Sequence, residues 1–355
     1  MPADAHELIH TREQLQEINL KPFTPSVLRR VLFTGIAALA ATTLAAGLAS
    51  AQGAYPNKPV RLIVPFAAGG SIDTATRILA EGLGERLKTQ FVVDNRPGAT
   101  GSIGAQIAAR AAPDGYTLVA SYDGTFSILP VLQPLPFNPR LDFAPIARYA
   151  DVEYVIALHP TVPARNMKEL IQYTKANPGK LSYASTGIGS TTHLQSELLR
   201  LKAGLDWTHI PYGSGSGKAI MDVVAGTTPS TFISVSVASP HVAAGKLRAL
   251  AVASPRRSLS LPDVPTLREE GLPGLDLVSW FGLFAPAGTP RSIIDTLNRE
   301  MKTVLESPAV QKKFREVGLV PSHGTPEDLR DTVASDITKW TAIVTEANIK
   351  AEPQK

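Results

Sequence analysis

Residues Val60–Asp73, VRLIVPFAAGGSID, decide the fold. An apolar run suited to a buried strand ends at Phe66, the glycine pair Gly69-Gly70 turns the chain, and Ser71 opens a segment of helical spacing that reaches Lys88. Strand, tight turn and helix in that order make the first half of a βαβ unit. Working outward, FVVD (Phe91 to Asp94) predicts a second strand, Thr100 to Ala112 a second helix and YTLVAS (Tyr116 to Ser121) a third strand, all joined by short Gly- and Pro-rich loops. A second set of the same kind starts near Met167. It alternates helices with the strands LSYAS, WTHIPY, Pro229 to Ser234 and LRALAVAS (Leu247 to Ser254).

Between the sets, Ala144 to Leu158 is a long apolar stretch that suits a strand crossing from one domain to the other. DLVSWFGLFAP (Asp276 to Pro286) brings the chain back and leads into two or three terminal helices. Thr289-Pro290 and Thr325-Pro326 each pair an N-cap hydroxyl with Pro at the first helical position. Behind them, Ile293, Ile294, Leu297, Met301, Val304 and Leu305 form one apolar stripe, and Leu329, Val333, Ile337, Trp340 and Val344 form another, so these helices pack on a sheet. The predicted fold class is α/β: two domains, each a mainly parallel sheet flanked by helices, with crossing strands and a cleft between them. The boundaries read 52–153 plus 278–355 for domain 1 and 154–277 for domain 2.

The chain has 355 residues, 44% hydrophobic and 19% charged, the composition of an ordinary globular protein. Arg29-Arg30, the uncharged run Val31 to Ala51 and the small-x-small ending Ala49-Ser50-Ala51 predict that residues 1–51 are a leader with a cleavable signal peptide, and hence export to the periplasm. With no cysteine there is no disulfide, no thiolate chemistry and no lipoprotein anchor. The net charge of +4 is small and its basic residues are dispersed, which argues against nucleic acid and mildly favours anionic solutes.

Catalytic and cofactor signatures fail on spacing. YGSGSGKAI (Tyr212 to Ile220) has Tyr212 and Ala219 where a phosphate loop needs Gly and Ser or Thr. PGATGSIGA (Pro97 to Ala105) does not fit the dinucleotide fingerprint, and around Ser185-Thr186-Gly187 the nucleophile elbow lacks its leading Gly. His159, His193, His209, His241 and His323 stand far apart in sequence, with no metal spacing. No catalytic residue, metal or cofactor is therefore expected. What remains is a pair of strand-to-helix turns, VPFAAGGSID and STGIGSTTH (Ser185 to His193). Each sets backbone N–H groups and the positive end of a helix at the carboxyl edge of a sheet, where small anions bind in open α/β folds. The plainer alternative is that Ser71 and Ser190 are N-caps, the glycines turns and Asp73 a capping carboxylate.

At these loops the chain resembles the substrate-binding proteins of tripartite tricarboxylate transporters, the Bug or TctC type. The resemblance runs from Tyr55 to about Lys350 through YPNKPVRLIVPFAAGGSID, VVDNRPGATGSIGA, PDGYTL, LSYASTGIGSTTHLQSELL, AGKLRALAVASPRRSLSLPDVPTLREEGLPG and SWFGLFAPAGTP. It implies a periplasmic-binding-protein-like clamshell, monomeric, that captures a small organic carboxylate and delivers it to integral membrane permease subunits. Carried over residue by residue, it puts Phe66, Ala67, Ala68, Gly69 and Gly70 on one wall and Thr186, Gly187, Ile188, Gly189, Ser190 and Thr191 on the other. Arg96, outside both walls, is expected in a structural ion pair.

Two departures bear on specificity. SYDGTF (Ser121 to Phe126) stands where the family carries a Gly/Ser/Thr-rich turn, so Ser121, Asp123 and Thr125 join Asp73 and Ser234 as ligand candidates. Asp123 would repel a second carboxylate and favour an amine or amide at that end of the ligand; the alternative is a solvated turn residue. The loop within His209 to Gly226 differs in length from the family pattern, and its contacts stay open. Other functions to weigh are a sensor subunit for a signalling receptor and a secreted hydrolase.

Overall fold

A computed structural model describes residues 55–212, 216–275, 277–346 and Ile349. The leader and signal segment predicted for 1–51 lie outside the described residues, as do residues 213–215 of the loop that departs from the family pattern. Among the described residues no helix is long and apolar enough to cross a membrane.

The first set of elements is β1 (Val60–Val64), α1 (Ser71–Leu87), β2 (Phe91–Asn95), α2 (Ser102–Ala109) and β3 (Thr117–Tyr122), followed by a π-helical turn, Gly124–Ile128, and the short α3 (Leu129–Leu132). The apolar stretch from Ala144 is divided between two strands, β4 (Phe143–Val152) and β5 (Tyr154–Leu158), which belong to different sheets. The second set is α4 (Met167–Ala176), β6 (Leu181–Ser185), α5 (Thr191–Ala203), β7 (Trp207–Pro211), α6 (Ser216–Val224), β8 (Ser230–Ser234), α7 (Val235–Ala243) and β9 (Arg248–Val252). Then β10 (Ser279–Pro286) returns to the first sheet, and α8 (Arg291–Glu306), α9 (Pro308–Glu316), β11 (Val320–Pro321) and α10 (Pro326–Glu346) complete it.

The first sheet has the order β11-β4-β10-β3-β1-β2 and the second β7-β6-β8-β5-β9. Parallel pairing holds the βαβ units: β1 with β2 and β3, and β6 with β7 and β8. The strands at the lobe crossings pair antiparallel, β4 where the chain leaves the first lobe and β5 and β10 where it enters a lobe, so each sheet is mixed where the sequence reading expects it to be mainly parallel. The reason is topological. A strand fed by a helix crossover must run parallel to its partner, whereas a strand entering from a neighbouring lobe carries no such constraint.

In the first lobe, Ile63 and Val119 from the sheet, Ala105 and Ala108 from α2, and Leu329 and Val333 from α10 close one core around Phe126, Phe143 and Phe284. On α1 the close approach of α8 requires a glycine: a Cβ on Gly82 would lie 2.5 Å from Val304 Cγ1. In the second lobe, Val155, Ala184 and Ile233 pack against Ala219 and Val223 of α6 and Ala238 of α7. The lobes also share an apolar contact in which Leu194 of α5 meets Ile128 and Trp340.

The helix starts differ at the two Thr-Pro pairs. Thr325 and Asp328 form a reciprocal capping box, Asp328 N donating to Thr325 Oγ1 at 3.0 Å and Thr325 N to Asp328 Oδ2 at 2.8 Å. Thr289 is not a cap. Pro290 holds the N-cap position of α8, and the Thr289 hydroxyl donates instead to Pro286 O at 2.8 Å, because the chain must first turn off the end of β10.

Candidate functional site

The first loop, Phe66 to Gly70, leaves the carboxyl end of β1 and is fixed from below. Asp73 accepts the Gly69 N–H at 2.9 Å and the Arg77 Nε–H at 3.0 Å on Oδ2, while Asn95 Nδ2 donates to Asp73 Oδ1 at 2.9 Å and to Phe66 O at 3.0 Å. Burial would raise the Asp73 pKa, but the bonds from Arg77, Gly69 and Asn95 outweigh it and hold the carboxyl below its usual range. Both oxygens of Asp73 are thus occupied in shaping the loop. Ser71 is the first residue of α1 and not its cap, since Gly70 takes that position without a side-chain bond. The Ser71 hydroxyl is consequently free to reach the second lobe, where it meets Ser236 Oγ at 2.8 Å and Ser234 Oγ at 3.2 Å.

The second loop, Thr186 to Ser190, leaves β6. Ser190 is the N-cap of α5, accepting from His193 N at 3.2 Å, and its hydroxyl donates to Gly187 O at 2.6 Å. Thr192 Oγ1 accepts from Thr186 N at 2.9 Å. Gly187 and Gly189 take φ of +131° and +73°, a region that side-chain-bearing residues avoid, so the loop can double back and aim its N–H groups. The second loop touches the first lobe through Thr100, whose Oγ1 donates to Ile188 O at 3.4 Å and whose carbonyl accepts from Thr125 Oγ1 at 2.9 Å.

Between the loops lies Asp123, 2% exposed. It is not a solvated turn residue. Gly124 N, Thr191 Oγ1 and Ser279 Oγ all donate to Oδ1, at 2.8, 2.8 and 2.5 Å, and so bind β3, α5 and β10 together. Burial, reinforced by Asp336, pushes its carboxyl up to about 6 against the opposing bonds from Ser279 and Thr191. The neighbouring Tyr122 ring meets Phe66 edge-on, with centroids 5.0 Å apart. Ser121 is fully buried, and its hydroxyl has no hydrogen-bond partner among the described residues.

Sequence reasoning left open whether Ser234 or Ser236 faces the cleft, and both meet Ser71; it missed Thr100, Thr192 and Ser279, because partners distant in the chain leave no local pattern. It also missed a pairing of histidines. His193 and His209 stack with centroids 4.0 Å apart, His209 stacks on Tyr183, and His209 Nε2 lies 2.6 Å from Ser185 Oγ. Burial, then the neighbouring His193, pull His209 down to about 3. Because its pKa is depressed on folding, the folded state keeps His209 neutral while the unfolded chain takes up a proton below about pH 6.5. Stability from this group is therefore complete above that pH and lost progressively as pH falls toward 3. We predict that His209→Gln loses less stability than the parent between pH 7 and 4.5, measured by urea unfolding; parallel losses would show that His209 is not among the groups responsible.

Arg96 pairs with Asp94 at 3.0 Å, in keeping with a structural role. No lysine or arginine belongs to either loop. Among the described residues no group of three or more His, Cys, Asp or Glu could hold a metal ion.

Comparison with known proteins identifies the lineage. Residues 75–349 match the tripartite tricarboxylate transporter family receptor. Protein BugT of Bordetella pertussis is 37% identical over 309 residues, covering 86% of this chain and 94% of BugT. Among solved structures, R. palustris Rpa4515 with adipate is 33% identical at a TM-score of 0.80 and covers 83% of this chain and 99% of that one. MatC from Rhodopseudomonas palustris with bound malate is 32% identical at a TM-score of 0.76, covering 82% and 100%. The chain belongs to the tripartite tricarboxylate transporter receptor family, whose members are solute-binding proteins.

Proposed function

We propose that this protein captures a small organic carboxylate in the periplasm and presents it to the membrane permease subunits of a tripartite transporter, without catalysing a reaction. The observation that carries the reading is a pair of strand-to-helix loops that both abut the end of β3, Phe66 packing on Tyr122 and Thr191 donating to Asp123. Phe66 to Gly70 and Thr186 to Thr191 each lead into a helix N-terminus and neither holds a basic side chain, which suits a carboxylate held by N–H and O–H donors. Bound adipate and malate in two relatives support it. In this reading domain 1 is 52–153 plus 278–355, domain 2 is 154–277, and Phe66, Ala67, Ala68, Gly69, Gly70, Thr125, Thr186, Gly187, Ile188, Gly189, Ser190, Thr191 and Ser234 line the ligand. Residues 1–51 serve as the export signal.

A hydrolase would need an activated nucleophile. The contact of Ser185 with His209 is the nearest candidate, but Ser185 is buried and the depressed pKa of His209 makes it a weak base. A thermal-shift panel of dicarboxylates, hydroxy acids, amino acids and amides on the mature protein tests the proposal. A true ligand at a hundred times its Kd adds about 2.7 kcal/mol of native stability, enough to move the melting temperature visibly. A panel in which no carboxylate produces a shift would overturn the reading.

A further inference from the structure

Asp123 is a buried carboxylate with an unbalanced set of partners. All three of its hydrogen-bond donors converge on Oδ1, and among the described residues none reaches Oδ2. No lysine, arginine or histidine forms an ion pair with it among those residues. The charged and titratable groups around it are Tyr122 at the end of β3, Tyr154 on β5, and Asp336 and Lys339 on α10. Asp336 repels Asp123, and Lys339, the one cation nearby, is committed to Asp336 at 2.7 Å and makes no ion pair with Asp123. Desolvating a carboxylate without a counter-ion is unfavourable, and folded chains ordinarily supply one. Here the missing partner would enter between the two binding loops: Thr191 of the second loop is bonded to Asp123, and Phe66 of the first packs on the adjacent Tyr122.

We propose that Oδ2 of Asp123 selects ligands that carry a protonated amine at the end opposite the carboxylate, the ligand completing an ion pair that the protein leaves half made. This rests on the carboxylate reading of the cleft and sharpens it. The helix N-termini hold one end of an ω-amino carboxylate and Asp123 holds the other. A plain dicarboxylate would bring its second negative charge against Oδ2 with no cation between them, which disfavours it. Thr191 and Ser279 then act as positioning residues, fixing the carboxylate through Oδ1 so that Oδ2 stays available.

Isothermal titration calorimetry with matched probes tests this: 4-aminobutyrate against succinate, and 5-aminovalerate against glutarate. The amine of each pair is expected to bind the parent protein at least about ten-fold more tightly, and Asp123→Asn to remove or reverse that preference. Because Asp123→Asn also changes a buried contact, pH provides a second readout on the unaltered protein. With Asp123 titrating near 6, amine affinity should fall about four-fold from pH 7.5 to 5.5, while dicarboxylate affinity holds or rises. Diacids binding the parent more tightly than the amines, or an amine affinity that does not fall with pH, would overturn the inference and leave the carboxylate reading standing. If neither diacids nor amines bind, and the wider carboxylate panel is also silent, both fall together.

Discussion

Gly318→Ala is expected to weaken ligand capture at least about ten-fold while lowering the melting temperature of the unliganded protein by only about 2–4 °C. Gly318 follows α9 in the first lobe with φ of +68°, and a Cβ there would lie 2.7 Å from Ser236 Cα and 3.1 Å from Ser236 N. Those are backbone atoms of α7 in the second lobe, so the clash cannot be relieved by a rotamer change. It can be relieved by moving α7 away, which pulls Ser234 and Ser236 off Ser71 and opens the cleft. The methyl group therefore acts on the closed state that grips ligand, and a ligand can recover only what its preference for closure provides. Gly179→Ala is the control. It has φ of +71° with nothing within 4 Å, so it carries the same left-handed backbone cost, about 1 kcal/mol, without the obstruction. Calorimetry should separate the two variants in affinity although they melt alike, and equal affinities would remove the argument for closure through this contact.

Phe126→Ala should cost about 3–5 kcal/mol in urea unfolding, among the large stability effects expected of a single change in the first lobe. The Phe126 ring is fully buried and lies 4.4 Å from Phe284, 4.8 Å from Phe143 and 6.1 Å from Phe137, measured between centroids. Truncation removes the whole ring from a close-packed cluster, and the residues that would have to collapse into the gap sit on β4, β10 and a proline-flanked loop, each fixed by its own pairing. Phe126 also lies in the π-helical turn that Asp123 opens, so the same change should loosen the Asp123 contacts to Thr191 and Ser279. Phe126→Leu, which retains much of the volume, should recover most of the stability. A loss below about 1 kcal/mol for Phe126→Ala would mean that the cluster is not packed as described.

The order of strands and helices was legible because each βαβ unit is written locally: an apolar run, a glycine turn, a helical stripe. VRLIVPFAAGGSID reads as β1, its turn and the start of α1, and LSYASTGIGST reads as β6 and the start of α5. The π-helical turn over Gly124 to Ile128 was not legible. Every residue in it is buried, so no polar face marks a helical period, and a wider turn is held there by the aromatic cluster beneath it. Thr289 shows the opposite failure. A locally perfect cap signal was overridden by the geometry with which the chain leaves β10.

By itself the sequence determined the α/β class, the two sets of elements, the crossing stretches and the two glycine-rich loops, since each depends on neighbours within a few residues. Tertiary structure alone decided how those loops are used. It took Ser71 from the role of cap and set it against Ser234 and Ser236, stacked His193 on His209, and buried Asp123 against Thr191 and Ser279. The physical reason is that hydrogen-bond partners and desolvation around Asp123 come from elements more than sixty residues away in the chain, and a side chain's charge and role are set by what surrounds it in space.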